Sequence, residues 1–393
     1  MAERVATVGA RGALLVELFR AGLERVDGRR CVRAALAATP PGRFAAAAIG
    51  KAALAMALGA QEALGESLER LLVICPDERP GQSLGDRPGL EIHRSAHPLP
   101  DERSLRAGAR LLSWLEALPA AVTPLFLISG GASALVEVPM SGVTLDELVR
   151  VARRGLAEGE DIAALNAARA ALSQIKGGRL AARLGGRPAL ALFISDVPGD
   201  DPALIGSGLL GPAPGGDSIR RTVIASIDMA MDAVVEAARA RGLSARRART
   251  RFAGDVARLA VQFTHELALG KAQIRVWGGE STLRLPATPG RGGRNQHLAL
   301  AAARLLAGYP DLALLVAGTD GIDGPTAETG AVVDGETCGR IALHGLDCDE
   351  SLRRADSGTA LAAAGALLRT GPTGTNVADL VIGAKLPPRL AGS

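Results

Sequence analysis

The amino-acid sequence predicts an α/β protein with two domains, and three observations support this fold class. The chain has 393 residues, more than one hydrophobic core usually organises. Continuous apolar runs such as FAAAAIG and PLFLISGG alternate with helical patterns, which is typical of a mostly parallel sheet covered by helices on both faces. Several runs end in Gly, Ser or Asp, where the carboxyl ends of parallel strands form a ligand crevice.

The patterns predict elements along the whole chain. They are, in order, a helical opening at about 11–38, the strand FAAAAIG with the helix KAALAMALGAQEAL, the strands LLVIC and PLFLISGG, helices near 145–157 and 161–174, the strand in ALALFISDVPGD, and a helix near 218–240. The charged stretch 238–256 has few large apolar residues and is interpreted as a linker or a surface helix. Beyond it, AQIRVWGGESTLRL predicts a hairpin. This reading gives an N-terminal domain at 1–245, a connection at 246–270 and a C-terminal domain at 271–393.

Composition limits the kinds of partner. Hydrophobic residues make up 48% of the chain and aromatics only 2%, so the core must be built from Ala, Leu, Val and Ile. The net charge is only +4, and nine aromatic residues offer little base stacking. We therefore expect no nucleic-acid partner. The longest uncharged stretch contains two prolines and a Gly-Gly pair, so we expect no membrane span.

The cysteines and the N-terminus indicate the compartment. Cys31, Cys75, Cys338 and Cys348 form no CxxC pair and suggest no disulfide framework, which fits a reduced cytoplasm. The first residues lack a basic region followed by a cleavage site, so no signal peptide is predicted. The expected location is the cytoplasm.

Lysine is rare in this chain. Four lysines stand against 41 arginines, which suggests a strong bias toward arginine. A lysine that persists under such a bias is expected where arginine would not serve. Lys51 and Lys176 each adjoin a glycine, in IGKAA and IKGGR.

Six segments place small polar residues after an apolar run. They are IGKAA, ISGGASAL, ISDVPGDDPALIGSG, GGEST, GRGGRNQ and GTDGIDGPT, with a similar late loop, TGPTGTN. Any one alone is most often a turn. Together they favour a shared cleft for a polyanion.

Two of these segments suit phosphate. ISGGASAL can present backbone N–H groups from Ser129 through Gly130 and Gly131 to Ser133, with a helix dipole behind them. The G-x-S-x-G pattern of a nucleophilic serine is absent. Lys51 follows Gly50 at the start of a predicted helix, where its compact ammonium can point into the same crevice, although the segment is not a Walker A loop.

Aspartates offer hard oxygen ligands. Asp196, Asp200 and Asp201 lie in SDVPGDD, and Asp320 and Asp323 lie in TDGIDG. Mg²⁺ usually takes one or two carboxylates plus phosphate oxygens, so one aspartate per domain would suffice. Each aspartate could equally form a turn.

Two further stretches leave alternatives open. His97 in SAHPLPDERS could bind substrate or brace the proline-rich turn, and the following Asp101 is predicted to cap a helix. GRGGRNQHLALAAARLL places Arg294 and Asn295 between a glycine-rich loop and a helix. That stretch is either a plain loop-to-helix joint or a site where backbone N–H groups meet an anion.

Several motifs are missing. The sequence contains no G-x-G-x-x-G, H-E-x-x-H, zinc spacing or protein-kinase loop set.

The chain resembles the class II glycerate kinases, the glycerate 2-kinase family also met under the name hydroxypyruvate reductase. The resemblance covers about 10–385 and rests on HPLPDERS, NAARAALSQIKGG, SDVPGDDPALIGSG, GGEST, GGRNQ, GTDGIDG and TGPTGTNVADL. It implies a larger N-terminal Rossmann-like domain, a smaller leucine-rich C-terminal α/β domain, and an active site in the cleft between them. It also implies Mg²⁺-dependent transfer of the ATP γ-phosphoryl group to the C2 hydroxyl of D-glycerate.

The resemblance also implies site residues. The family's active-site lysine falls on Lys51 and its active-site arginine on Arg294. Asp196 is our own candidate for a catalytic base, whose identity the sequence leaves open. Substrate- and nucleotide-binding positions are Ser129, Gly130, Gly131, Ser133, His97, Glu280, Asn295, Asp320, Thr375 and Asn376, and the metal positions are Asp196 and Asp320. Our hypothesis is that Lys51 and Arg294 come from opposite domains and meet across the substrate.

The sequence departs from the family pattern at two places. The family usually has SGP where Gly208 is followed by Leu209 and Leu210, and commonly a glutamate where this chain has His297. The alternatives are a hydroxypyruvate reductase, which would lack its dinucleotide loop, and a non-catalytic phosphometabolite-binding protein. A homodimer is compatible with the alanine-rich helices, which suit a core equally well.

Overall fold

The computed structural model describes residues 9–77, 84–158, 162–213 and 215–387. The chain forms two compact units. The parallel-sheet unit consists of Val26–Ser226 with Gly374–Val377, and the mixed-sheet unit consists of Met1–Arg25, Ile227–Thr373 and Ala378–Ser393. In the described ranges, no helix combines the length and the apolarity needed to span a bilayer.

Helices and strands alternate through most of the chain. The helices are α1 (Gly9–Arg25), α2 (Gly28–Leu36), α3 (Ala53–Leu64), α4 (Glu102–Glu116), α5 (Ala132–Leu135), α6 (Leu145–Glu158), α7 (Ile162–Ala171), α8 (Arg179–Ala182), α9 (Ile227–Arg239), α10 (Val256–Leu269), α11 (Arg294–Leu306), α12 (Thr337–Leu343), α13 (Cys348–Arg353) and α14 (Ser357–Ala363). The strands are β1 (Phe44–Ile49), β2 (Leu68–Cys75), β3 (Leu90–Arg94), β4 (Thr123–Ile128), β5 (Ala189–Ile194), β6 (Ile219–Ala225), β7 (Ala245–Arg247), β8 (Phe252–Asp255), β9 (Ile274–Thr282), β10 (Leu312–Gly318), β11 (Gly330–Asp334), β12 (Leu367–Leu368) and β13 (Asp379–Lys385).

The parallel-sheet unit confirms the predicted Rossmann-like architecture. Its six strands run in the order β3-β2-β1-β4-β5-β6, and every neighbouring pair is parallel. All six residues of β1 are buried, because helices cover both faces of such a sheet. Trp114 packs edge-on against Phe126, with ring centroids 6.3 Å apart, in a core otherwise dominated by aliphatic residues.

Local side-chain chemistry sets two helix starts in this unit. Asp101 begins α4, as expected: its carboxylate accepts the N–H of Arg103 at 2.7 Å, and the Ser104 hydroxyl accepts the N–H of Asp101 at 3.2 Å. The helical opening expected at 11–38 is two helices. Asp27 separates them and caps α2 by accepting the N–H of Arg30 at 2.8 Å.

The mixed-sheet unit is built around a largely antiparallel sheet. The strand order is β12-β11-β10-β13-β9-β7, with β8 also paired to β9; only the pairs made by β7 and β8 are parallel. Phe263 packs between Phe252, at a centroid distance of 5.1 Å, and Trp277, at 5.0 Å.

The predicted hairpin at AQIRVWGGESTLRL is wrong, because this stretch forms one continuous strand, β9. The two central glycines allow close contact instead of a turn. A Cβ on Gly278 would lie 2.4 Å from Cγ1 of Ile227, and one on Gly279 would lie 2.0 Å from the carbonyl oxygen of Phe252.

The segment 246–270, predicted as a linker or helical connection, contains regular secondary structure. This segment carries β8 and α10, and it contributes Phe263 and Leu267 to the buried core of the mixed-sheet unit. The element expected near 218–240 is β6 followed by α9.

The division into units differs from the predicted boundaries at 245 and 271. Helices α1 and α9 belong to the mixed-sheet unit, where Gly22 of α1 lies so close to α9 that a Cβ would be 3.0 Å from Cγ2 of Val234. Hydrophobic burial places these helices on the second sheet, although one of them opens the chain.

Two cysteines that are ten residues apart come together. The sulfurs of Cys338 and Cys348 lie 2.6 Å apart, and all four cysteines are free. Hydrogen bonding from Cys348 lowers the pKa of the Cys338 thiol, which favours the nucleophilic thiolate.

We predict that oxidised glutathione converts this pair to a disulfide. The Cys338 thiolate attacks the glutathione disulfide, and Cys348 then displaces the bound glutathione, so that two protein thiols are oxidised and one disulfide is reduced. A thiol titration of the denatured protein should fall from four to two. Cys338→Ser should leave three thiols after the same treatment, and four remaining thiols in the unsubstituted protein would contradict the prediction.

Candidate active site

The first cluster of predicted site residues lies where the strand order reverses. β1 and β4 are neighbours at the centre of the parallel sheet, while their flanking strands run outward in opposite directions. Such switch points at the carboxyl ends of strands are the usual ligand sites of open α/β sheets. Lys51 follows β1, Gly130 follows β4 and Asp196 follows β5.

The turns after β1 and β4 are held in direct contact. Gly50 has φ +132°, and a Cβ there would lie 2.1 Å from the Ser129 hydroxyl oxygen. The N–H of Lys51 donates to the Gly130 carbonyl at 2.9 Å, and the Ser129 hydroxyl accepts the N–H of Ala52 at 3.1 Å. Ser129 is fully buried, so it stabilises the turn that carries Lys51.

Gly130 lies against a carboxylate and an amide. A Cβ on Gly130 would be 1.9 Å from Oδ2 of Asp196 and 2.1 Å from Nδ2 of Asn376. Asn376 donates from Nδ2 to Oδ2 of Asp196 at 3.0 Å. The structure therefore brings together three residues predicted from separate loops.

Gly131 lies against His97 and Lys51. Its φ is +84°, and a Cβ there would be 3.0 Å from Cδ2 of His97 and 3.2 Å from Cγ of Lys51. His97 is exposed and Lys51 is half-buried. The imidazole of His97 and the aliphatic part of the Lys51 side chain thus flank a backbone that carries no side chain. We call Lys51, His97, Gly130, Gly131, Asp196 and Asn376 the switch-point cluster.

The prediction of a helix dipole behind ISGGASAL is wrong. The helix that follows Gly131 is α5, a single turn of four residues, so it has too few aligned peptide groups to form a substantial dipole. Ser133, within that turn, shares a hydrogen bond of 2.7 Å with the Ser207 hydroxyl. Thr375, the other predicted site residue of the late loop, directly precedes Asn376 in the sequence, and its side chain is buried.

A second cluster surrounds Arg294 in the mixed-sheet unit. Its Nη1 lies 2.7 Å from Oε1 of Glu280 and donates to the Ser281 carbonyl at 2.8 Å, and its Nη2 lies 3.7 Å from Oδ2 of Asp379. Burial opposes the guanidinium charge, but the carboxylates of Asp379 and Glu280 outweigh it and raise the pKa of Arg294. Arg294, Glu280, Asp379 and Asn295 form what we call the arginine cluster.

The structure answers the question left open for GRGGRNQ. The backbone N–H groups of Asn295 and Gln296 meet an anion, but that anion is the internal carboxylate of Asp323, at 3.0 and 2.8 Å. A Cβ on Gly293 would lie 2.3 Å from Cγ of Asp323. The glycine therefore lets Asp323 cap α11, where a negative charge is stabilised by the helix dipole.

Asp379 is a site residue that sequence reasoning missed. It opens β13 and is buried; Oδ1 accepts from Nδ2 of Asn295 at 2.9 Å. Burial raises the pKa of Asp379 to about 7, although Arg294 opposes the shift. Strongly perturbed carboxylates concentrate at functional sites. The signal available was the acidic residue directly before the apolar run LVIGA.

The predicted metal carboxylates lie in different units. Asp196 belongs to the switch-point cluster, and Asp320 accepts the N–H of Ile322 at 3.1 Å in the mixed-sheet unit. Within the described ranges, no group of three or more His, Cys, Asp or Glu side chains is arranged to hold a metal ion. A Mg²⁺ ion that arrives on nucleotide phosphates needs only one or two carboxylates, which a single aspartate such as Asp196 fits.

The two departures from the family pattern have structural roles here. Leu209 and Leu210 are fully buried in the core of the parallel-sheet unit. Gly208 adopts φ +72°, and its carbonyl accepts the N–H of Gly178 at 2.7 Å. His297 is buried on α11, and burial lowers the pKa of its imidazole.

Replacement of Asp379 tests its ionisation. Because its folded pKa lies above the ordinary value of 3.8, its contribution to stability is full below pH 4 and is lost as the pH rises through about 7. Asp379→Asn keeps an acceptor for Asn295 but cannot ionise, so its melting temperature should exceed that of the unsubstituted protein by more at pH 8 than at pH 5. Thermal unfolding at both pH values measures this.

The exposed Asp349→Asn serves as a control that should show no such pH dependence. Asp323, whose pKa burial raises to about 6, is present in both proteins, so a pH-dependent difference between them requires the ionisation of Asp379, including its repulsion with Asp323. A melting-temperature difference that stays constant between pH 5 and pH 8 would contradict the assignment.

The chain is similar to known proteins over nearly its whole length. Residues 14–241 match the family described as domain of unknown function DUF4147, and residues 273–379 match the MOFRL family. A D-glycerate 2-kinase of Thermotoga maritima is 34% identical over 409 residues, which cover 94% of this chain and 97% of that protein.

Another relative carries a different name. A protein of Agrobacterium vitis, designated a proposed hydroxypyruvate reductase, is 35% identical over 337 residues, 74% of this chain and 87% of that one. The crystal structure of glycerate kinase from Thermotoga maritima superposes with a TM-score of 0.85 at 33% identity, covering 96% of this chain and 100% of that chain. The chain therefore belongs to the glycerate kinase family, in which a DUF4147 domain is followed by a MOFRL domain.

Proposed function

We propose that this protein is a glycerate 2-kinase that phosphorylates D-glycerate at its C2 hydroxyl with ATP. Relatives named D-glycerate 2-kinase and glycerate kinase support the substrate class. The observation that carries the proposal is the switch-point cluster, which gathers Lys51, His97 and Asp196 around Gly130 and Gly131 at the sheet's reversal point.

The cluster supplies what phosphoryl transfer requires. The C2 oxygen attacks the γ-phosphorus, the bond between that phosphorus and the bridging oxygen breaks, and ADP leaves. Charge spreads over the γ-phosphoryl oxygens, so catalysis depends mainly on positioning and electrostatics. Lys51 stabilises that charge, and the side-chain-free backbone of Gly130 and Gly131 lets the phosphates approach. Asp196, held by Asn376, accepts the hydroxyl proton.

Magnesium enters as part of the MgATP substrate. The Mg²⁺ ion neutralises charge on the β- and γ-phosphates. Asp196 and Asp320 remain our candidates to hold it.

The arginine cluster supports a role for Arg294 in binding an anion. The Glu280 side chain is 59% exposed, whereas Asp379 is 8% exposed. A substrate carboxylate or phosphate can therefore displace Glu280 from the guanidinium, while buried Asp379 keeps Arg294 in place. Arginine binds either anion bidentately.

The competing activity is reduction of hydroxypyruvate, which the name of the Agrobacterium vitis relative favours. The turn after β1 contains Gly50 and Lys51 in place of a glycine-rich pyrophosphate loop, and this argues against a dinucleotide cofactor. We propose a cytoplasmic location on the ground of the four free thiols. A homodimer stays a prediction.

The identity of the product tests the proposed function. The protein with D-glycerate, ATP and Mg²⁺ should form 2-phosphoglycerate, which ³¹P NMR distinguishes from 3-phosphoglycerate. A parallel reaction with NADH and hydroxypyruvate should leave the NADH absorbance unchanged. Formation of 3-phosphoglycerate would correct the position of attack, and NADH oxidation without phosphoryl transfer would reject the kinase.

Replacement of the two cations tests their roles. Lys51→Ala and Arg294→Ala should each lower kcat by about 10²–10³-fold, since a lost electrostatic contact to the transition state has effects of this size. The melting temperature should change little in Lys51→Ala, whose side chain is partly exposed. In Arg294→Ala it should fall at pH 8, because the buried carboxylate of Asp379 loses its guanidinium partner.

Matched controls remove the same charge elsewhere. Lys271→Ala and Arg284→Ala change exposed residues of the same types and should keep full activity. Normal turnover by Arg294→Ala would restrict the site to the parallel-sheet unit, and normal turnover by Lys51→Ala would overturn the role of the switch-point cluster.

A further inference from the structure

A partly open pocket with apolar and charged lining residues lies within the parallel-sheet unit and has no role so far. Leu148 and Val151 of α6 form part of its apolar lining, and Glu137, Arg169 and Lys176 contribute three charged groups. An apolar wall with a few convergent polar groups is the usual composition of a small-molecule site.

This pocket adjoins the switch-point cluster. Pro98, which lines it, directly follows His97, and Ser133, which also lines it, lies two residues beyond Gly131. His97 and Gly131 are themselves in contact. A ligand in the pocket would therefore lie next to the residues proposed for phosphoryl transfer.

Two of the charged groups neutralise each other. The side chains of Lys176 and Glu137 are 4% and 1% exposed and form an ion pair. Oε1 of Glu137 also accepts from the Ser173 hydroxyl at 2.5 Å and from the N–H of Val138 at 2.9 Å. Both oxygens of this carboxylate are thus engaged, so the pair contributes a buried, internally neutralised ion pair to the lining of the pocket.

The third charged group, Arg169, takes no part in this ion pair. Among the residues that the structure describes, its guanidinium donates no hydrogen bond, and its electrostatic neighbours are the carboxylate of Glu137 and the like-charged ammonium of Lys176. Burial lowers the pKa of Arg169, although Glu137 opposes the shift. Three charges sum to +1, so the pocket has one positive charge to match with an anion. A guanidinium binds a carboxylate through two parallel hydrogen bonds.

A chain of hydrogen bonds through Asn166 and Ser207 determines whether the Ser133 hydroxyl acts as a donor or as an acceptor. Asn166 donates from Nδ2 to the Leu204 carbonyl at 3.2 Å, which fixes its Oδ1 as an acceptor. The Ser207 hydroxyl donates to that oxygen at 2.8 Å. Its single proton is therefore used, and Ser133 must donate to Ser207 across their 2.7 Å contact. The free lone pairs of Ser133 make it an acceptor toward the pocket.

We infer that this pocket binds the carboxylate end of the hydroxy-acid substrate. Arg169 binds the carboxylate, and Ser133 accepts a hydrogen bond from the hydroxyl that is not phosphorylated. A carboxylate beside a hydroxyl matches the donors and acceptors of the pocket, and the apolar wall contacts the carbon chain. The inference rests on the proposed kinase function and names its specificity residues.

Arg169→Gln tests the carboxylate contact. It should raise the KM for D-glycerate by about 10- to 100-fold, the effect of a lost hydrogen-bonded charge pair, while the KM for ATP changes less than about twofold. Arg169→Lys should recover part of the loss, because lysine keeps the charge without the planar fork. Arg153→Gln removes an exposed charge from α6 and should behave like the unsubstituted enzyme.

Ser133→Ala tests the hydroxyl contact. It should raise the KM for D-glycerate but leave that for D-lactate unchanged, because lactate lacks the C3 hydroxyl. A general loss of structure would affect both acids alike. An unchanged glycerate KM in Arg169→Gln overturns the carboxylate assignment, and equal effects on both acids in Ser133→Ala overturn the hydroxyl assignment.

Calorimetric titration with D-glycerate alone separates this inference from the proposed function. If the enzyme phosphorylates glycerate and Arg169→Gln binds it normally, the pocket assignment fails while the function stands. If no phosphoryl transfer occurs, the function fails, and binding that depends on Arg169 would still support the pocket. If Arg169→Gln does not fold, Arg169→Lys provides the same comparison.

Discussion

The close approach of two strand ends at the centre of the parallel sheet determines the rest of the site. β1 and β4 end side by side, and the turns that follow them leave no room for a Cβ at Gly50 or Gly130. This contact fixes the backbone that carries Lys51, and Asp196 and Asn376 lie against Gly130. A larger residue at either glycine would push the two turns apart. It would therefore also separate Lys51 from Asp196 and Asn376, the residues proposed to act on a ligand.

The positively charged groups of the two units differ in whether internal carboxylates already bind them. In the mixed-sheet unit, internal carboxylates already occupy the positive groups: Asp323 caps α11, and Glu280 with Asp379 holds Arg294. An incoming anion must therefore compete with a carboxylate, and exposed Glu280 is the partner that can yield. In the parallel-sheet unit, Arg169 has no hydrogen-bond acceptor among the described residues, so a ligand can bind there without displacing one.

The sequence could predict features that depend on neighbouring residues or on a general rule of sheets. Buried strands such as FAAAAI, the helix cap at Asp101, and the convergence of Lys51, Gly130 and Asp196 follow from such rules, because parallel strands end at one edge. Glycine gives less information, since it permits either a turn or a close contact. Gly278 and Gly293 serve contacts with Ile227 and Asp323, which only the folded chain reveals. The same holds for Asp379, whose raised pKa depends on burial.

The surroundings of three of the four lysines show what lysine does in this arginine-rich chain. Lys176 is buried against Glu137, where a compact ammonium fits and a broad guanidinium would need more acceptors. Lys385 donates from Nζ to the Ala268 carbonyl at 2.6 Å, near the end of α10, where the helix leaves carbonyl groups unpaired. Lys51 passes within van der Waals reach of Gly131 in the switch-point cluster. Lys176 and Lys385 thus occupy positions where a compact ammonium meets protein acceptors, whereas Lys271 is exposed. Lys51 differs from all three because it lies against the glycine turn of the switch-point cluster, and this is the position that supports a specific role.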